Sequence, residues 1–207
     1  MLLASRFGIS ACIGSDAFHS AKVYGPGSAL LQSEPQPIVN SDMHLEERSS
    51  PPYSIDEVTA AAPEYIVVQA RDLLLEYGRF VVAQPGAGRF CFGSLEKEAA
   101  NLPHCYLEQG GGCLIAHVQC EPSGFIAWRA LPASVEPLAW ELKRLWVHPH
   151  ARGLSLGRVL TQSVLHRAIA AGRGAVYLDT APASMGAAHR LYLELGFEPC
   201  PPITTIR

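Results

Sequence analysis

Beyond residue 64 the apolar positions change period several times, and each change marks an element. From Ile66 to Val82, Val67, Ala70, Leu74 and Tyr77 recur at helical spacing, which predicts a helix; a short strand at Tyr65 to Val68 stays open. Gly86 to Gly88 turns the chain, and Leu95 to Leu102 reads as a short helix that follows Ser94 and stops at Pro103. Three glycines, Gly110 to Gly112, open a hairpin of Cys113 to Cys120, a turn at Glu121 to Gly124, and Phe125 to Leu131. Pro132 to Pro137 is a loop. Trp140 to Val147 is then dense in aromatic and aliphatic residues and ends at Pro149, which cannot donate to a ladder, so it predicts a strand. Leu156, Val159, Leu160, Val164, Leu165, Ala168 and Ile169 return to helical spacing, in a helix beginning near Gly153. Ala175 to Thr180 is a buried strand, and Ser184 can cap a last helix whose stripe of Ala188, Leu191, Tyr192 and Leu195 stops at Gly196. A final strand follows. This order predicts an α/β fold, a mixed sheet with helices on both faces.

Residues 1–62 differ from the rest. Gly14, Gly25, Pro26, Gly27, Pro35, Pro37, Pro51 and Pro52 sit among serines with no sustained period, so this is a low-order N-terminal extension to a domain at 63–207. A strand within it that augments the sheet stays open. The opening MLLASRFGISACIG lacks a basic start and is interrupted by Arg6, which argues against a secretory signal. An organelle signal is weak, since Arg6 and Lys22 are the basic residues of the first thirty.

Composition narrows the function classes. The chain is 48% hydrophobic and 17% charged with net charge −3, and has no Lys/Arg cluster, so no nucleic-acid partner is expected. No apolar run approaches the roughly 20 residues that span a bilayer, so no membrane partner is expected either. Cys12, Cys91, Cys105, Cys113, Cys120 and Cys200 show no CxxC pair and no Cys/His metal spacing. They read as reduced thiols, which points to a cytoplasmic location and no metal. His148 and His150 flank Pro149 in a loop; solvated side chains, or contacts to a phosphate, both fit.

Candidate chemistry concentrates where the strand at Trp140 to Val147 turns into the next helix. Strand, glycine turn and helix start together make an anion site, because free backbone N–H groups converge there and the macrodipole favours negative charge. The turn lacks the Gly-Lys-Ser/Thr of a Walker loop, and Gly153 and Gly157 supply only two of the three glycines of a Rossmann fingerprint. The stretch VHPHARGLSLGRVL, Val147 to Leu160, instead resembles the pyrophosphate motif of the GNAT superfamily of acyl-CoA-dependent N-acyltransferases, V-x-P-x-x-R-G-x-G-x-G-x-x-L, with Ser155 at the middle glycine. AHRLYLELGF, Ala188 to Phe197, is similar to that family's second signature, A-x-x-L-Y-x-x-x-G-F. Small stand-alone members also share E-x-K-R-L-x-V-x-P and L-D-T, found here at Glu141 to Pro149 and Leu178 to Thr180.

The resemblance implies a GNAT fold: a mixed twisted sheet with a V-shaped opening between its fourth and fifth strands, the fourth carrying a bulge. It implies acetyl-CoA as co-substrate, whose pantetheine arm pairs with the strand at Leu145 and Val147. Its pyrophosphate lies on Arg152, Gly153, Leu154, Ser155, Leu156 and Gly157. It implies an N-acetyltransferase that moves the acetyl group to a primary amine by direct attack in a ternary complex; amino acid, polyamine, antibiotic, arylamine and protein N-terminus stay open as acceptors, and the slightly acidic net charge of −3 favours a small-molecule amine. Acyl transfer needs a base for the arriving ammonium and an acid for the leaving thiolate. Glu141 is the candidate base, its alternative an ion pair with Lys143 or Arg144; Tyr192 is the candidate acid, its alternative a core aromatic. Asp179 and Thr180 can meet an acceptor amine or cap a strand end, and the acceptor-selecting loops fall at about 83–94 and 132–139.

Three departures stand against the pattern. Ser155 narrows the approach to the phosphates, and Met185 stands where the family often has Asn. After Phe197 one strand can be placed where the family has a pair, so the C-terminal pair is expected to be incomplete, or completed by the N-terminal extension or a partner chain. A homodimer is left open. These departures keep a second function in view, a degenerate acyl-CoA-binding or regulatory module.

Overall fold

The computed structural model describes residues 19–24, 52–84, 92–133, 136 and 138–201. In chain order its elements are β1 (His19–Tyr24), β2 (Tyr53–Glu57), α1 (Glu64–Val82), α2 (Phe92–Ala100), α3 (His104–Leu107), β3 (Gly112–Val118), β4 (Glu121–Ala130) and β5 (Ala139–Val147). A 3-10 turn at Pro149–Ala151 leads into α4 (Leu156–Ala170), followed by β6 (Ala175–Thr180), α5 (Gly186–Glu194) and β7 (Glu198–Cys200). The strands form one seven-stranded mixed sheet in the order β2-β3-β4-β5-β6-β1-β7, antiparallel except where β5 meets β6.

Helices cover both faces, which is why the central strands read as continuous apolar runs. Along β3 and β4 alternate residues point to opposite sides. Cys113, Ile115, Phe125 and Ala127 pack under Ile66, Ala70, Leu73 and Leu74 of α1 and Leu95 of α2. Leu114, Ala116, Ile126 and Trp128 pack under Leu156, Leu160, Val164 and Ala168 of α4. Gly124 is glycine because a Cβ there would stand 2.9 Å from Leu160 Cδ1 and 3.1 Å from Leu156 Cδ2, so α4 lies directly on β4.

The hairpin turn falls two residues earlier than the glycine suggests. Val118 opposes Glu121, so Gln119 and Cys120 form the loop, both left-handed at φ 52° and 69°. A two-residue turn of that shape favours Asn-Gly, a signal that Gln-Cys does not carry. The strand left open at Tyr65 to Val68 is instead the first turn and a half of α1, and the strand lies upstream at β2. The turn expected at Gly86 to Gly88 lies outside the described residues.

The N-terminal extension contributes two strands to the sheet. β2 pairs β3 at one edge, and β1 lies near the other, antiparallel to β6 from His19 opposite Thr180 to Tyr24 opposite Ala175. On its other side β1 pairs β7 from Ser20 opposite Cys200 to Lys22 opposite Glu198. The family's C-terminal strand pair is therefore assembled here from the short β7 and the N-terminal β1. Ala21 is buried in the α4-side core, with Val23 packed against it, while Lys22 lies over the Tyr177 ring on the opposite face. Among the described residues no helix is long and apolar enough to cross a membrane.

Candidate active site

β5 and β6 run together only briefly. Parallel pairing extends from Ala139 opposite Ala175 to Leu142 opposite Leu178, and there it ends. From Lys143 onward β5 diverges while β6 continues along β1 to Thr180, which leaves a V-shaped gap. A bulge in β5 produces the divergence. Lys143 opposes Ala127 and Trp146 opposes Phe125, so Arg144 and Leu145 both answer to Ile126.

Arg144 occupies the bulge at φ 61°, a left-handed conformation that costs an L residue about 1 kcal/mol. Its guanidinium is held on three sides. Nε donates to Glu98 Oε1 at 3.0 Å and Nη2 to Glu98 Oε2 at 2.9 Å, a two-pronged pair with α2. The Tyr106 hydroxyl donates to the same carboxylate, and the Tyr77 ring centroid lies 5.8 Å from the guanidinium. Of the two cations expected as alternative partners of Glu141, Lys143 does pair with it, whereas Arg144 pairs with Glu98, which arrives from 46 residues earlier and carried no local signal.

At the mouth of the V is a cavity of about 280 Å³. Leu145, Val147, Arg152 and Gly157 of the expected cofactor set line it, facing Ser184, Met185, Ala188 and Leu191 around the start of α5. Gly157 keeps the wall low: an added Cβ would lie 3.4 Å from Leu191 and 3.6 Å from Val147. Arg152 is exposed, donates from Nε to the Val147 carbonyl at 3.3 Å, and lies over the Trp146 ring at 5.4 Å. Gly153 and Ser155 are left-handed at φ 86° and 56°. Ser155 precedes α4 as its N-cap without a side-chain bond to the helix, so its exposed hydroxymethyl is not engaged by the helix start. Leu154 is exposed, whereas the Leu156 side chain is fully in the core, leaving only its backbone for a ligand. The first amides of α4 have no acceptor within the helix, as at any helix start. Met185, not Ser184, is the N-cap of α5, and it makes no side-chain cap bond.

Glu141 and Tyr192 stand outside that cavity lining. Glu141 is 6% exposed and accepts from Arg129 Nε at 2.6 Å and from Lys143 Nζ at 3.0 Å. Burial pushes its carboxyl up, but Lys143 and Arg129 together outweigh this and hold it below the ordinary carboxylate value. Alternation along β5 puts Glu141 and Lys143 on the α1–α2 side, and Trp140 and Leu142 on the α4 side. Tyr192 belongs to that second side, in the core beside Phe197 at 5.5 Å between ring centroids. Burial drives its phenol far above the usual range, so it stays protonated. The two candidate catalytic groups therefore approach β5 from opposite faces.

Several site residues carry no motif. Tyr77 and Phe80, three apart on α1, and Trp146 of β5 line the cavity; their periodicity marks only a core face. Trp146 Nε1 donates to Glu76 at 3.2 Å, and the same carboxylate faces His148 Nε2 at 3.8 Å. His150 meets Ser123 Oγ at 3.0 Å. Among the described residues Thr180 Oγ1 is buried without a hydrogen-bond partner, and Asp179 is exposed on β6. No cluster of three or more His, Cys, Asp or Glu side chains suited to a metal occurs among them. Cys113 is buried and Cys120 exposed, and Cys105 and Cys200 are half-buried; all four are free thiols. The loops expected to select the acceptor fall partly outside the described residues, at 85–91, 134, 135 and 137.

A split between parallel strands, a bulge that opens it, and a glycine turn into a helix at its mouth are the architecture of an acetyltransferase fold. The profile of the "Acetyltransferase (GNAT) family" matches residues 67–197, more than half of the chain, and the chain belongs to that family. Solved structures agree on the fold. An acetyltransferase of the GNAT family from Staphylococcus aureus superposes with a TM-score of 0.55 at 20% identity, over 70% of this chain and 84% of that one. An acetyltransferase from Streptococcus agalactiae gives 0.56 at 22% identity, over 71% and 84%. The ribosomal-protein-S18-alanine N-acetyltransferase of Escherichia coli gives 0.51 at 17% identity, over 72% and 79%. No curated protein matches the sequence.

Proposed function

We propose that the chain is an N-acetyltransferase that moves the acetyl group of acetyl-CoA to a primary amine by direct attack within a ternary complex. The observation that carries this is the cavity at the mouth of the V, where Leu145, Val147, Arg152 and Gly157 meet the start of α5. Acetyl-CoA supplies an activated acyl group on a thioester. Beyond Leu142 the β5 backbone has no partner strand on its β6 side among the described residues, so the groups of Leu145 and Val147 suit the amides of a pantetheine arm. Arg152 and the amides from Gly153 to Gly157 suit its diphosphate, by charge and by the helix N-terminus. The exposed placement of Ser155 supports this seat, because its hydroxymethyl group is not packed against the helix start.

Glu141 takes the acceptor's proton. Lys143 and Arg129 keep it ionised but also make it a weak base, so a water relay to the amine suits it better than direct contact. Tyr192 holds its proton firmly and donates toward the departing sulfur. A small-molecule amine is the proposed acceptor.

A second function has a specific observation behind it: Glu141 is engaged by two cations, as a purely structural carboxylate would be. A module that binds acyl-CoA without turnover is the alternative. Release of free thiol from acetyl-CoA, followed across a panel of primary amines, separates the two. The transferase releases thiol with at least one amine, and Glu141→Gln and Tyr192→Phe slow it by roughly 10²-fold or more. The binding module gives calorimetric heat with acetyl-CoA and no amine-dependent thiol.

A further inference from the structure

The chain has three lysines, Lys22, Lys97 and Lys143, and they stand in different surroundings. Lys97 is exposed on α2, and Lys22 packs over Tyr177 in β1. Lys143 is the first residue of β5 past the last pairing with β6, so it sits where the V begins to open. Its side chain is 19% exposed, and its Nζ lies 3.0 Å from Glu141 Oε1. An amine and the proposed base are thus in hydrogen-bond contact at the closed end of the cleft.

The reach is right. From Val147, beside the helix start, back to Lys143 is four residues of strand, about 13 Å. An arm anchored by its diphosphate at Arg152 to Gly157 and laid along Val147 and Leu145 brings its thioester to this end. Nothing else in the described cluster offers a nucleophile: Arg129 and Arg144 are guanidinium groups, and both already pair with carboxylates.

We propose that Lys143 is an acceptor of the domain's own acetyl group, a self-acetylation site at the apex of the cleft. The inference rests on the reading of the cleft as the acetyl-CoA seat. The Lys143 ammonium gives a proton to Glu141, and Nζ attacks the thioester carbonyl. The new C–N bond forms as the C–S bond breaks. The thiolate takes a proton from Tyr192, which solvent replaces, and Glu141 and the amine each release one proton to solvent, so the net products are the Lys143 amide, free thiol and one proton. Burial does most to pull the Lys143 ammonium below its ordinary value; Glu141 opposes this, and Arg144 and Arg129 add to it, which eases the first step. The amide carries no charge, so the reaction also removes the cation that most depresses Glu141 and leaves it the stronger base.

Purified full-length protein incubated with acetyl-CoA and no added amine, then digested and mapped by mass spectrometry, tests this. The expected result is one acetyl group per chain, on Lys143, with thiol released in equal amount at a rate independent of protein dilution. Lys143→Arg abolishes that label, and Glu141→Gln slows it about tenfold or more. Exposed Lys97 is the internal control. Acetyl on Lys97 or Lys22 with Lys143 unmodified would mean solution reactivity of the thioester and overturn the inference. So would an unmodified Lys143 under conditions where added amines release thiol, and the transferase reading would then stand alone. If neither Lys143 nor any amine takes the acetyl group, the transferase reading fails and the inference with it.

Discussion

Two cations converge on Glu141, and that arrangement has a signature in pH as well as in rate. Burial raises the carboxyl, Lys143 and Arg129 lower it further than burial raises it, and the folded value lies below the ordinary one of 4.5. A group depressed by folding contributes stability above its unfolded value and loses it as pH falls through the folded one. Wild type should therefore exceed Glu141→Gln in unfolding free energy at neutral pH, and the gap should close below about pH 4.5. Denaturant melts of both proteins at a series of pH values check this; a gap unchanged at low pH would mean the ion pairs contribute nothing. The sequence singles out Glu141, six residues before Val147, and Tyr192, within the second signature, as candidates, but their surroundings were not legible there. Arg129 answers Glu141 from the neighbouring strand, and a partner across a ladder has no fixed spacing in sequence.

At the scale of elements the bulge in β5 decides where the cleft opens. Its residue, Arg144, is left-handed without being glycine, so the conformation has to be imposed by partners, and Glu98 of α2 is the main one. Both side chains are mostly buried, at 17% and 16% exposure. Removing one partner of such a pair leaves a charge uncompensated, so Glu98→Gln should lower stability by roughly 3 kcal/mol in chemical unfolding. A loss under about 0.5 kcal/mol would show that the backbone holds the bulge unaided. Strand β5, helix α4, strand β6 and the body of α5 were all predicted from periodicity, because each is long or continuous enough to show one. The helix caps and the hairpin turn were missed for a common reason. Met185 and Gln119-Cys120 fill positions that usually take Ser or Asn-Gly, so tertiary packing sets the geometry against local preference.

Across the whole molecule, strand β1 decides between the alternatives left open for the N-terminal extension. Residues 19–24 complete the sheet between β6 and β7, although the next strand in the chain, β2, lies at the far edge. Low complexity around it hid a six-residue strand whose buried anchor is Ala21. Deleting residues 1–24 should expose both neighbouring edges and remove several kcal/mol of an expected total of about 5–15, visible as a collapse of the thermal transition. A peptide covering the strand should restore it, whereas an unchanged transition would show that β1 is ornamental. The turn from β5 into α4 is the proposed seat of the diphosphate of acetyl-CoA. Arg152 is exposed, so reversing its charge leaves the core intact. Calorimetric titration of acetyl-CoA into wild type and Arg152→Glu decides it. One site per chain is expected in wild type, with at least about tenfold weaker binding, some 1.4 kcal/mol, in the variant. Equal affinity in the two proteins, or no heat from wild type, would contradict it.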